Sequence, residues 1–120
     1  QDFDAVCWVP VSKIRRRRRG YDQSELLARQ IATALSLPLS PVLRKHAERG
    51  PQSQLKDAAK RRANVSGAFS MLPGADVSGK RMLLIDDIVT TGATLSECCR
   101  ILKSAGAARV VCAAFAAPRD

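Results

Sequence analysis

A chain of 120 residues has room for one domain with a modest core, and with 46% hydrophobic but only 4% aromatic residues that core must be aliphatic. No apolar run approaches the roughly 18 residues of a membrane span, and the polar, acidic residues 1–4 do not resemble a secretory leader, so a cytoplasmic protein is expected. The formal charge of +9 is concentrated: residues 15–19 are five arginines, and residues 44–62 carry seven basic side chains against Glu48 and Asp57, so two segments hold the whole excess and imply an anionic partner.

The chain opens on Gln1 rather than Met, as a piece of a longer protein would. Residues 5–11 read as a short buried strand with a Pro near its end, and Trp8 beside it reads as packing. Residues 12–20 form a basic loop ending at Gly20. Asp22 or Ser24 then caps a helix whose apolar positions Leu26, Leu27, Ile31, Ala34 and Leu35 fall at helical spacing, and Pro38 ends it. Residues 39–43 are a second strand candidate.

Residues 44–66 are polar, basic and long for a simple connection, which marks a binding loop or lid, with a short helix expected over 56–63. Residues 67–71 predict a short strand, Pro73 and Gly74 a turn, and residues 82–85 a clear buried strand. A helix over 94–105, stopped at Gly106, and a last strand over 110–116 complete the pattern. Strands alternating with helices argue for an α/β protein with a mostly parallel central sheet flanked by helices.

The four cysteines, Cys7, Cys98, Cys99 and Cys112, contain no C-x-x-C pair, and His46 has no ligand-like neighbour, so zinc is not expected within the chain. Adjacent Cys98 and Cys99 diverge on a helix and make a poor disulfide. All four are expected to be reduced and mostly buried. His46 reads as an exposed loop residue.

The informative segment is Leu83-Leu84-Ile85-Asp86-Asp87-Ile88-Val89-Thr90-Thr91-Gly92-Ala93-Thr94. An apolar strand runs into two carboxylates, then a hydroxyl-rich turn with one Gly, then a helix. Open α/β sheets bind ligands at the carboxyl ends of their strands. The turn places backbone N–H groups at a helix N-terminus, where orphan donors and the dipole favour phosphate. Paired carboxylates suit the vicinal hydroxyls of a ribose, or water on a Mg²⁺ ion. The plain alternative, a strand with an ordinary polar end and a Thr-capped helix, accounts for the acids alone better than for the whole ordered string.

That string resembles the signature of type I phosphoribosyltransferases. The resemblance implies a single-domain type I phosphoribosyltransferase fold over residues 1–120. It gives Asp86 and Asp87 the ribose 2′- and 3′-hydroxyls and a catalytic role, with Mg²⁺ met indirectly through those hydroxyls or water. It gives Thr90, Thr91, Gly92, Ala93 and Thr94 the 5′-phosphate. Val9-Pro10-Val11, Arg19-Gly20-Tyr21-Asp22-Gln23-Ser24, Leu27-Ala28, Gln54, Leu55, Arg62, Asn64 and Gly67-Ala68-Phe69 further resemble the ComF pattern. The likeness runs from about Val9 to Phe115.

Two departures stand out. Asp22 replaces the usual Asn, and the upstream zinc-binding cysteine segment of many ComF proteins is absent from this chain. Thr90 and Ala93, where purine-type members have a carboxylate and a Lys, make the loop more like the orotate subclass.

By the same resemblance, the loops after the first and second strands hold pyrophosphate and close over the site. Arg19, Arg44, Lys45 and Arg62 are its first candidates, since Lys and Arg reach its oxygens with charge-assisted bonds. Phosphoribosyl transfer with pyrophosphate release is the expected activity, on phosphoribosyl pyrophosphate or a nucleotide. The alternative is a catalytically silent nucleotide- or DNA-binding module linked to competence and DNA uptake, with single-stranded or duplex DNA against the basic loops. A homodimer is a further partner expectation. Tyr21 is the one aromatic near the arginine run, which argues against a base-stacking platform.

Overall fold

The computed structural model describes residues 2–11, 22–46, 67–88 and 92–116. Its elements in chain order are β1 (Ala5–Trp8), α1 (Gln23–Leu35), β2 (Leu43–Lys45), β3 (Phe69–Met71), β4 (Arg81–Ile88), α2 (Ala93–Ser104) and β5 (Arg109–Ala116). β1, β4 and β5 form a sheet in the order β1-β4-β5, and β2 and β3 form a separate two-stranded ribbon.

β4 is the middle strand, parallel to β1 from Ala5↔Met82 to Trp8↔Ile85 and parallel to β5 from Arg81↔Arg109 to Ile88↔Ala116. A parallel strand covered on both faces needs consecutive apolar residues, and Met82, Leu83, Leu84 and Ile85 supply them, all buried. Their side chains alternate between faces. Met82 and Leu84 join Ala5 and Cys7 against Cys98 and Leu102 of α2. Leu83 and Ile85 join Val6 against Ala28 and Ala32 of α1, with Trp8 packed at the margin as expected. Burying one such large aliphatic side chain is worth about 1.5–3 kcal/mol. The expected α/β class with a mostly parallel sheet is what forms.

Asp22 is the N-cap of α1: its backbone is extended and its Oδ1 accepts the Glu25 N–H at 3.2 Å. The helix ends at Ser36, whose left-handed backbone sends its N–H to the carbonyls of Ala32 and Thr33. The inward face is not the leucine face read from spacing. Ser24, Ala28 and Ala32 are buried, whereas Ala34 is exposed and Leu26 and Leu35 are exposed at 43% and 44%. Small residues at every fourth position let α1 lie close on the sheet, and Leu27 and Ile31 fill its flank.

The strand expected over 39–43 shrinks to one bridge, Leu39 parallel to Val6. Pro38 and Pro41 bracket it, and proline cannot donate to a ladder. Pairing resumes in β2, antiparallel to β3 from Leu43↔Met71 to Lys45↔Phe69. The long basic segment therefore begins as a strand: Arg44 and Lys45 belong to β2. The helix expected over 56–63 lies outside the described residues.

α2 ends at Ala105, and Gly106 follows at φ +103 in the left-handed region, as a helix-stopping glycine should. Among the described residues no helix is long and apolar enough to cross a membrane. Cys7 and Cys98 are buried and free, but Cys99 is half-buried and Cys112 exposed, so the expectation of mostly buried thiols holds for two of the four. β5 is an outer strand of the described sheet, which leaves Cys112 at the surface.

Candidate functional site

β4 runs further than its apolar core. The strand continues to Ile88, with Asp86 paired to Ala114 of β5, so both acids sit inside the strand at the carboxyl end of the sheet rather than beyond it. Asp86 is 8% exposed and Asp87 is half-buried.

Ser24, in the first turn of α1, holds both acids. Its hydroxyl lies 3.1 Å from Asp86 Oδ1 and 3.2 Å from Asp87 Oδ1, with geometry to donate to either. The Asp87 N–H is directed at both Ser24 Oγ (3.2 Å) and Asp86 Oδ1 (2.9 Å). Burial pushes the Asp86 carboxyl up to about 6; the bonds from Ser24 and the Asp87 N–H oppose that rise, and the neighbouring Asp87 carboxyl adds to it. A carboxyl raised this far beside a second acid, at a sheet mouth, has the marks of a working group.

Behind Ser24, the N-cap Asp22 is itself buried at 5%. Its Oδ2 accepts the N–H of Val11 at 3.3 Å, which ties the segment leaving β1 to the helix that carries Ser24.

Of the expected phosphate loop, Gly92, Ala93 and Thr94 are described, while Thr90 and Thr91 lie outside the described residues. Gly92 is the N-cap of α2 at φ 80, a conformation that costs a side-chain-bearing residue dearly, and it makes no side-chain cap bond. Ser96 N–H closes the first turn on its carbonyl at 2.9 Å. The acids and the N-terminus of α2 thus follow one another at one end of β4, with three residues between Ile88 and the N-cap Gly92.

The pyrophosphate candidates divide. Arg19 and Arg62 lie outside the described residues. Arg44 and Lys45 stand on the β2–β3 ribbon, not on the sheet that carries the acids; Arg44 is exposed, and the Lys45 ammonium sits 5.7 Å from the centroid of the Phe69 ring. His46, just past β2, is exposed as expected and shares a 2.9 Å hydrogen bond with Ser70 Oγ.

Sequence reasoning takes Ser24 only as a helix cap and misses its hold on the acids. The signal is present: Ser24, Ala28 and Ala32 share one spacing of four, so a hydroxyl heads the face that turns to the sheet.

Comparison with known proteins identifies the family and the fold. The family model for the phosphoribosyl transferase domain matches residues 22–120. Competence protein F of Haemophilus influenzae is 34% identical over 105 residues, covering 86% of this chain and 45% of that protein. DNA utilization protein YhgH of Escherichia coli K12 is 32% identical over 108 residues, 89% of this chain and 46% of that protein. The chain spans a little under half the length of these curated relatives.

Among solved structures, the glutamine phosphoribosylpyrophosphate amidotransferase from B. subtilis, complexed with ADP and GMP, superposes with a TM-score of 0.65 at 27% identity, over 95% of this chain and 22% of that one. A purine phosphoribosyltransferase from Pyrococcus horikoshii shares the fold, with a TM-score of 0.57 at 17% identity over 97% of this chain and 63% of that one. By the match over residues 22–120, and with relatives named for competence and DNA utilization, the chain belongs to the phosphoribosyl transferase domain family.

Proposed function

We propose that this domain binds the phosphoribosyl group of phosphoribosyl pyrophosphate or of a nucleotide and transfers it to a nitrogenous acceptor with release of pyrophosphate. The observation that carries this reading is the placement of Asp86 and Asp87 at the carboxyl end of the middle strand, immediately before the Gly92-capped N-terminus of α2. Carboxylates accept from vicinal hydroxyls, while backbone N–H groups and the positive end of a helix dipole favour phosphate. The two together measure out a ribose bearing a 5′-phosphate.

In the proposed reaction, the bond from C1 of the ribose to the pyrophosphate oxygen breaks, and the electron pair leaves with pyrophosphate. The ring develops positive charge, and the acceptor nitrogen forms the new bond at C1. Asp86 or Asp87, fixed beneath the sugar, stabilises that charge without reorganising. Thr90 to Thr94 hold the 5′-phosphate, and Arg19, Arg44, Lys45 and Arg62 are the proposed partners of pyrophosphate.

Mg²⁺ fits this donor set only as a ligand-borne ion. The acids offer hard oxygens, but the described residues assemble no group of three or more His, Cys, Asp or Glu side chains able to hold a metal. Asp86 and Asp87 would meet the ion through ribose hydroxyls or water, and when bound it would neutralise charge on the leaving pyrophosphate.

The names of the relatives favour a second reading, a nucleotide- or DNA-binding module without turnover. Calorimetry with phosphoribosyl pyrophosphate and Mg²⁺, followed by pyrophosphate release against a panel of bases, separates the two. Turnover that disappears in the double variant Asp86→Asn, Asp87→Asn supports the transferase. No binding of phosphoribosyl pyrophosphate, with DNA affinity equal in wild type and double variant, would sink it.

A further inference from the structure

Neighbouring residues of a strand send their side chains to opposite faces, so Asp86 and Asp87 should diverge. They do not diverge freely, because one hydroxyl lies within hydrogen-bond distance of the Oδ1 of each, at 3.1 and 3.2 Å. That hydroxyl belongs to Ser24, which is 1% exposed and stands on a different element, 62 residues away in sequence from Asp86. It also accepts the Asp87 N–H at 3.2 Å. Among the described residues, the Ser24 hydroxyl and the Asp87 N–H both meet Asp86 at Oδ1, and the Asp87 carboxyl is a further partner of the same group.

The same turn of α1 is anchored on its other side. The N-cap Asp22 takes the Val11 N–H on Oδ2 and the Glu25 N–H on Oδ1. The turn that carries Ser24 is therefore tied by Asp22 to the chain leaving β1, while Ser24 itself bonds to β4.

From this geometry we infer that Ser24 is a positioning residue: it sets the spacing of the Asp86 and Asp87 carboxylates so that the pair accepts a vicinal diol, and thereby selects ribose 5-phosphates over 2-deoxyribose 5-phosphates. The inference rests on the phosphoribosyl reading above and deepens it. A sugar lacking one hydroxyl leaves a desolvated acceptor without its partner, which is costly. The discrimination therefore depends on both acids keeping their places, which Ser24 serves by donating its one proton to one carboxylate at a time while accepting the Asp87 N–H. Without Ser24 the two carboxylates settle separately, and the site keeps its phosphate loop but loses its measure of the sugar.

The test compares wild type, Ser24→Ala and Ser24→Thr by calorimetry against ribose 5-phosphate, 2-deoxyribose 5-phosphate and inorganic phosphate. Ser24→Ala should weaken ribose 5-phosphate about tenfold, the scale of a hydrogen bond to a charged group, and leave the other two ligands within about twofold. Ser24→Thr, which keeps the hydroxyl, should recover most of the loss. Equal weakening of all three ligands by Ser24→Ala would mark a merely structural residue and overturn the inference; so would a Ser24→Ala protein that still prefers ribose.

If wild type itself fails to tell ribose from deoxyribose, the diol reading of the acids falls. The ¹³Cγ resonances of Asp86 and Asp87 in the unliganded protein then decide the role of Ser24 on their own. Resonances displaced in Ser24→Ala and restored in Ser24→Thr support its hold on the pair, and unmoved resonances overturn it.

Discussion

At the N-terminal end of the central sheet, Asp4 meets Arg81: its Oδ2 accepts from the Arg81 backbone N–H at 2.7 Å and from Nε at 3.2 Å, and its Oδ1 accepts from Nη2 at 3.2 Å. At the C-terminal end, Asp86 meets a serine hydroxyl and a backbone N–H, with another carboxyl beside it. The Arg81 bonds hold the Asp4 carboxyl down at about 2, while burial pushes Asp86 up to about 6. Nearby, the Arg109 guanidinium covers the Phe3 ring at 5.5 Å, so the floor of the sheet answers its charges with complementary groups. The mouth holds Asp86 where its ionised form is disfavoured. A raised, buried acid beside a second acid marks a candidate working group, which sets the mouth apart from the floor.

The sharpest way to break this contrast is Asp86→Asn. The raised carboxyl costs nothing below about pH 4, where it is protonated folded and unfolded alike. Its cost grows between about 4 and 6 and is complete above 6, where the fold must hold it ionised. A rise from the ordinary 3.8 to about 6 corresponds to about 3 kcal/mol, and partial solvent screening reduces this to about 1–2 kcal/mol. Asp86→Asn should therefore stabilise the protein by about 1–2 kcal/mol at pH 7.5 and by almost nothing at about pH 3, read by urea unfolding. The same change should weaken ribose 5-phosphate by about 100-fold, some 2.7 kcal/mol. A variant destabilised at both pH values would show that the acid is structural, like Asp4.

Residues differ in how openly they declare their place. The apolar run 82–85 reads as a doubly covered strand and Gly106 marks a helix end by local chemistry, while Asp22 is one of two caps, with Ser24, that the sequence allows. Asp86, Asp87 and Gly92 are legible as a candidate site because strand, acids and helix start follow one another in sequence. Ser24 is less so, because its partners are 62 and 63 residues away and only its spacing of four with Ala28 and Ala32 hints that it faces the sheet. The leucines of α1 mislead for a related reason. Spacing shows which residues share a face, but the sheet takes the small face of Ala28 and Ala32, a tertiary preference that periodicity does not encode. β2 is displaced from the expected 39–43 because its partner, β3, arrives only after the long basic segment.

The two glycines at the ends of α2 sharpen the comparison at intermediate size. Gly92 at the mouth and Gly106 toward the floor both hold left-handed backbones, at φ +80 and +103. Alanine at either should cost about 1 kcal/mol or somewhat more from backbone strain alone. At Gly106 the added Cβ makes only an ordinary contact, 3.4 Å from Ser78 Oγ, but its φ of +103 lies further than the +80 of Gly92 from the left-handed well near about +57 that a side-chain-bearing residue can occupy. Gly106→Ala should thus be the less stable variant by thermal melting, yet bind inorganic phosphate as wild type does. Gly92→Ala should melt higher than Gly106→Ala and lose phosphate affinity. The reverse pairing of effects would place the anion site away from the N-terminus of α2.

The smallest effect belongs to Asp4→Asn. Because the folded carboxyl lies below its ordinary value, its contribution is present above about pH 4 and is lost as pH falls toward 2. Asp4 and Arg81 are both well exposed, so water and salt screen the pair and its worth at neutral pH is slight. Asp4→Asn should lower the melting temperature less than Gly106→Ala does, and the difference from wild type should shrink in high salt and vanish near pH 2. Phosphate and ribose 5-phosphate affinities should stay at wild-type values, because the pair stands at the far end of β4 from Asp86. A loss of ligand affinity in Asp4→Asn would mean that the two ends are mechanically coupled through β4. The contrast between a satisfied floor and an exacting mouth would then describe one device rather than two.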